Sequence, residues 1–118
     1  MKGQPPKPFL DKRPWGEELV FGPEAPSMVK IITVNPGEAL SLQYHDNRDE
    51  YWRILSGNGI AEIDQEKIAL ASGLDCFVPR GIKHRLNGGN EPLVLLELAY
   101  GVFDENDIVR LEDRYGRK

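Results

Sequence analysis

His45 and His84 are the two histidines of this 118-residue chain, and each lies in a glycine-bounded segment with other potential ligands. The first segment runs from Gly37 to Gly57 and carries Gln43, His45 and Glu50; the second runs from Gly73 to Asn87 and carries Pro79, Gly81 and His84. In a strand, residues two apart share a face, so Ser41, Gln43 and His45 point one way and Leu40, Leu42 and Tyr44 the other. Setting Leu40 and Leu42 against a packed core turns Gln43 and His45 into the lumen. Glu50 opens the next strand, on one face with Trp52 and Ile54, and His84 begins a strand after the Pro79-Arg80-Gly81 turn. An amide oxygen, two imidazoles and a carboxylate suit one divalent ion of borderline softness: zinc, manganese, iron, cobalt or nickel. A single histidine in a strand is ordinarily structural. Two at matched places with a glutamate between them point to a metal.

The elements that must hold these groups read as β. From Trp15 onward, short runs of aliphatic and aromatic residues are broken by Gly, Pro, Asn and Asp about every 8–12 residues, the rhythm of a sandwich or barrel. Strands are predicted at Glu17–Phe21, Met28–Val34, Ala39–His45, Glu50–Ser56, Gly59–Ile63, Glu66–Leu70, Cys76–Val78, Lys83–Leu86 and Leu93–Tyr100. Asn35-Pro36-Gly37 and Asn87-Gly88-Gly89-Asn90 read as turns, and Ile63–Ile68 as a tight hairpin. Prolines 5, 6 and 8 make the N-terminus an extended arm, assigned to residues 1–11, with one domain over 12–118. Asp104–Leu111 reads as a short helical tail capped by Asp104. The fold expected is all-β: a single small jelly-roll-like barrel with that tail.

Bulk properties narrow the function. A net charge of −4 argues against nucleic acid as the main partner. One cysteine, Cys76, excludes an internal disulfide and fits a reducing compartment. No apolar run approaches the ~18 residues of a membrane span, and no signal-peptide core is present. A soluble cytoplasmic protein is expected.

The spacing from Gly37 to Gly57, and of Gly73, Pro79, Gly81 and His84, resembles the two motifs of the cupin superfamily, with Gln43 where the first histidine is usual. A closer resemblance is to the C-terminal domain of type II mannose-6-phosphate isomerases, usually fused behind a mannose-1-phosphate guanylyltransferase. It rests on Leu40–His45 with Arg48, Glu50 and Trp52, on Arg13-Pro14-Trp15-Gly16, and on the closing Arg110-Leu-Glu-Asp-Arg-Tyr-Gly-Arg117. That family also carries glutamine at position 43. It often has a histidine-rich stretch where this chain has His45-Asp46-Asn47, and histidine where this chain has Tyr51, so the polar shell around the ligands differs. No glycine-rich nucleotide loop is present, and guanylyltransfer is not carried over.

The resemblance implies interconversion of mannose 6-phosphate and fructose 6-phosphate, with Gln43, His45, Glu50 and His84 around the ion. The reaction needs a base, stabilisation of a developing enediolate oxygen and an anchor for phosphate. Glu50 is a candidate base, and Arg114 is assigned with it to the catalytic residues. Arg48, Lys83, Arg85, Arg110 and Arg114 are candidate phosphate ligands, with Arg110 and Arg114 favoured because a helical tail would fold them over the barrel mouth. Trp15 and Tyr115 read as packing residues, and Asp107, Glu112 and Asp113 as partners for arginines. Two other classes stay open: a metal-containing sugar- or nucleotide-sugar-binding module without catalysis, and a dioxygenase with ferrous iron on His45, Glu50 and His84. A homodimer through edge strands is expected, with the proline arm as the exchanged segment.

Overall fold

The computed structural model describes residues 8–21 and 25–117. Two sheets face one another: β3 (Met28–Val34), β10 (Leu93–Gly101), β5 (Arg48–Ser56) and β8 (Asp75–Val78) in that order, and β11 (Val109–Glu112), β4 (Leu42–Tyr44), β9 (His84–Gly88), β6 (Gly59–Ile63) and β7 (Glu66–Leu70) in theirs. A third sheet consists of β1 (Phe9–Arg13) and β2 (Gly16–Val20) alone. All pairings are antiparallel. The predicted all-β barrel is thus the observed one.

Alternation along the central strands decides what lies inside. On β5, Trp52 and Ile54 face inward, and on β10 Leu93 and Leu95 do; with Val34, Ala61, Leu70, Val78 and Leu86 they form the main buried core. The same inward rows then change chemistry: Glu50 continues the row of β5, and Glu97, the partner of Trp52 in register, continues that of β10. One end of the barrel is therefore dry and the other polar. Gly57 closes the dry end at φ +83°, where a Cβ would lie 1.8 Å from the carbonyl oxygen of Pro92, so only glycine fits.

Two expectations change. The tail is not helical: residues 105–106 turn and Val109–Glu112 form β11, paired with β4 so that Arg110 lies opposite Gln43. Val109 and Leu111, two apart, share an exposed strand face rather than a helical stripe. Of the residues assigned to an extended arm, 1–7 lie outside the described residues, while Phe9–Asp11 belong to β1. Ser41, Gln43 and His45 do face inward, and Leu40 packs on the core, but Leu42 and Tyr44 are only half-buried on the opposite face.

Candidate metal centre and substrate pocket

His45, Glu50 and His84 are all buried and converge at the polar end, with their ligand atoms within 4.8 Å of one another. Three adjacent elements deliver them. His45 follows β4, Glu50 lies near the start of β5, and His84 opens β9 opposite Gln43. Gly81, at φ +78°, donates its N–H to the carbonyl of His45 at 2.6 Å, which ties the turn before β9 to the end of β4.

Hydrogen bonds fix both imidazole tautomers. His45 Nδ1 donates to the Asp107 carbonyl at 2.7 Å, and His84 Nδ1 donates to the Ile82 carbonyl at 2.9 Å. Each Nε2 is thereby left as the acceptor, turned toward the same carboxylate: 3.4 Å from His45 to Glu50 Oε2 and 3.6 Å from His84 to Glu50 Oε1. Burial lowers the pKa of both rings, that of His84 to about 4, so both are neutral near pH 7. Two neutral imidazole acceptors on an anionic oxygen pair form a donor set made for a divalent cation. Gln43 joins it from β4: its amide nitrogen donates to Ser41 Oγ at 3.1 Å, leaving the carbonyl oxygen as its available ligand atom. These residues fit the ion that the sequence implies.

Arg48 is buried in the same cluster. Its Nε donates to Glu50 Oε2 at 3.1 Å, and its Nη2 lies 3.3 Å from His45 Nε2. Its Nη1 donates to the Asp104 carbonyl at 3.2 Å. The 104–107 loop is held to the metal strand from both sides, because Asp107 accepts the N–H groups of Asp46 and Asn47, each at 2.9 Å. Burial acts to raise the Asp107 pKa, but these two donors bring it below the usual carboxylate range. Asp107 thus braces the loop that orients His45. Asp107→Ala is expected to weaken divalent-ion binding about tenfold or more, measured by competition with a chromophoric chelator.

Around the cluster lies a cavity of about 200 Å³. Arg48, Arg85 and Arg110 line it, and so does Lys30 from β3, which the sequence alone did not single out. Lys83 is exposed outside it. Arg114 is also elsewhere, donating to the Gly37 carbonyl at 2.6 Å. Arg85 is braced by the Leu40 carbonyl and by Glu112. Of the acids expected to pair with arginines, Glu112 meets Arg85 and Asp113 meets Arg117, whereas Asp107 takes backbone donors.

Glu97 was also missed. It is buried and lines the cavity, accepting the Trp52 indole N–H at 3.0 Å. Burial, then the neighbouring Glu50 charge, pushes its pKa up to about 7. Its signal was present in the sequence, as an acid on the inward row of an otherwise apolar strand.

The family model described as "Mannose-6-phosphate isomerase C-terminal" matches residues 10–113. The chain is 42% identical over 107 residues to the xanthan biosynthesis protein XanB of Xanthomonas campestris pv. campestris, covering 89% of this chain and 23% of that protein. It is 41% identical over 107 residues to the mannose-1-phosphate guanylyltransferase ManC of Salmonella typhimurium, covering 89% and 22%. The chain therefore spans under a quarter of the length of these relatives. In fold it is similar to the capsular polysaccharide assembling protein CapF of Staphylococcus aureus, at TM-score 0.66 and 18% identity over 89% of this chain and 34% of that one. It is also similar to ChmJ, a 3'-monoepimerase of Streptomyces bikiniensis, at TM-score 0.69 and 9% identity over 87% and 66%. A match along nearly the whole chain, on a barrel with cupin neighbours, establishes that this protein belongs to the mannose-6-phosphate isomerase C-terminal family of the cupin fold.

Proposed function

We infer that this domain is a metal-dependent aldose–ketose isomerase that interconverts mannose 6-phosphate and fructose 6-phosphate. The observation that carries the reading is the buried His45–Glu50–His84 group, with a second buried carboxyl, Glu97, in the same cavity. His45, Glu50, His84 and the Gln43 carbonyl would hold one divalent ion, which supplies Lewis acidity to the sugar oxygens at C1 and C2. Glu50 is engaged by Arg48 and faces both imidazoles, so it suits a ligand better than a base. Glu97 has the better placement for moving the proton between C1 and C2, and its burial, the first cause of its raised pKa, strengthens it as a base.

Lys30, Arg85 and Arg110 at the cavity wall supply positive charge for the phosphate, a role for which Lys83 and Arg114 are poorly placed. The cavity is smaller than the roughly 300–1,000 Å³ of most ligand pockets. It suits a hexose phosphate better than a nucleotide sugar. The names of the relatives, which concern xanthan and mannose-1-phosphate guanylyltransfer, fit a place in mannose activation for polysaccharide synthesis.

The test is formation of fructose 6-phosphate from mannose 6-phosphate by protein stripped of metal and reloaded in turn with manganese, zinc, cobalt, nickel and ferrous iron. Turnover with at least one ion supports the isomerase. Bound ion and protection from melting by the sugar phosphate, with no turnover, would replace it with a binding module.

A further inference from the structure

We propose that the C-terminal turn Asp113–Arg117 is a latch that positions Gln43 as an ion ligand, with Arg114 and Tyr115 as its positioning residues; this rests on the metal centre of the isomerase reading. The turn is knit by its own side chains. The Asp113 carboxylate, its side chain 2% exposed, accepts the Arg117 backbone N–H at 2.6 Å and the guanidinium Nε and Nη2 at 2.9 and 3.0 Å. Gly116 takes φ +74°, where glycine meets no steric cost, and donates its N–H to the Asp113 carbonyl. Arg114 and Tyr115 are thereby turned to the loop before β4. Arg114 Nη1 donates to the Gly37 carbonyl at 2.6 Å, and the Tyr115 hydroxyl donates to Glu38 Oε1 at 2.5 Å.

Apolar burial does not account for this turn or for the strand it ends. Tyr115 is 54% exposed, and no residue of β11 is fully buried; Val109 and Leu111 both face water. β11 is also the terminal strand of its sheet. A strand that removes so little apolar area from water gains little from the hydrophobic effect, so polar ties at its two ends must hold it. Asp107 supplies those at the start, and the latch supplies those at the end.

What the latch holds is the metal strand. β4 is three residues long and meets β9 at the register pair of Gln43 and His84. Its other neighbour is β11, which sets Arg110 opposite Gln43 and Glu112 opposite Leu42. The chain enters β4 through residues 37–40. On one side that entry is tied to β9, by the Gly88 N–H on the Glu38 carbonyl at 2.7 Å and the Leu40 N–H on the Leu86 carbonyl at 3.0 Å. On the other side it is tied to the latch. His45, Glu50 and His84 have supports of their own in the Asp107 carbonyl, Arg48 and the Ile82 carbonyl. The Gln43 amide leans on Ser41 of its own strand segment, so its carbonyl oxygen goes where β4 goes. Gln43 is therefore the ligand that the latch sets.

Changing Arg114→Ala and Tyr115→Phe together removes both ties and leaves the Asp113–Arg117 bonds in place. Circular dichroism of this double variant should match the parent. Its zinc affinity, measured by competition with a chromophoric chelator, should fall about tenfold, the lower end for losing a group that supports a ligand. The same two changes in a Gln43→Ala background should alter zinc affinity about twofold at most, because the ligand set by the latch is already gone. A loss of equal size in both backgrounds would make the turn a general stabiliser and overturn the proposal. Parent-like zinc affinity in the double variant would overturn it as well. Should the double variant melt too early to titrate, Tyr115→Phe alone is compared in the two backgrounds, with a loss of about threefold expected only where Gln43 is present. Zinc affinity is read without turnover, so a parent that binds zinc without isomerising mannose 6-phosphate would refute the isomerase and not the latch.

Discussion

Replacing His84 by alanine is expected to remove stoichiometric binding of the divalent ion and to lower isomerase turnover at least 100-fold, to the level of the metal-free protein. The argument starts from geometry. His84 Nε2 faces Glu50 Oε1, its Nδ1 is committed to the Ile82 carbonyl, and its ring stands edge-on to Trp52 at 5.7 Å between centroids. Gln43, already counted among the ligands, and the apolar Ile63 oppose it across the strands on either side, so neither supplies a replacement for the imidazole. Metal binding and folding can be separated in the readout. An ion held at about 100 times its dissociation constant stabilises a folded protein by roughly 2.7 kcal/mol. Parent protein should show that metal-dependent rise in melting temperature, and the variant should show none, whatever its metal-free stability. A variant that still binds one ion per chain would remove His84 from the ligand set.

Glu97→Gln should have two opposite effects. In metal-free protein it should stabilise the fold at pH 8 by about 3 kcal/mol, with the gain disappearing toward pH 4.5. The folded state holds the Glu97 proton up to about pH 7, whereas the unfolded chain releases it near 4.5. The stability associated with this group is thus fully present below pH 4.5 and lost as pH rises through 7. Glutamine cannot ionise, so it removes that loss while still accepting the Trp52 N–H. Denaturant melts of parent and variant across this range measure the difference directly. With metal and substrate present, the same variant should keep its ion and lose about 10²–10⁴-fold in turnover, the range for removing a proton-transfer group. Equal stability gain at both pH values would show that the carboxyl is not held protonated.

The barrel and the meeting of His45, Glu50 and His84 were legible in the sequence because both depend on short-range rules. Strand alternation put Gln43, His45 and Glu50 inside, and the turn at Pro79–Gly81 set the start of the His84 strand. What escaped depends on partners distant in the chain. Glu97 and Lys30 sit in runs such as Leu93–Tyr100 and Met28–Val34, where a charged residue in an apolar strand reads as a solvated position until the opposing sheet is known. Pairing with β4 turned the end of the chain into a strand, overriding a local Asp104 cap and the spacing of Ile108 and Leu111. The first strand was obscured by the prolines on either side of it, and its pairing across Pro14-Trp15 buries little within one chain. Arg114 was placed with the phosphate ligands by a helix that does not form; the strand carries Arg110 to the cavity and leaves Arg114 beside Gly37.

The most direct test of the central claim is a titration of metal-stripped protein with its preferred divalent ion, following fructose 6-phosphate formation from mannose 6-phosphate at each addition. Turnover rising in proportion to bound ion and reaching its plateau at one ion per chain is the predicted result. Full occupancy of one ion per chain, with ketose formation no faster than in metal-free protein, would contradict it.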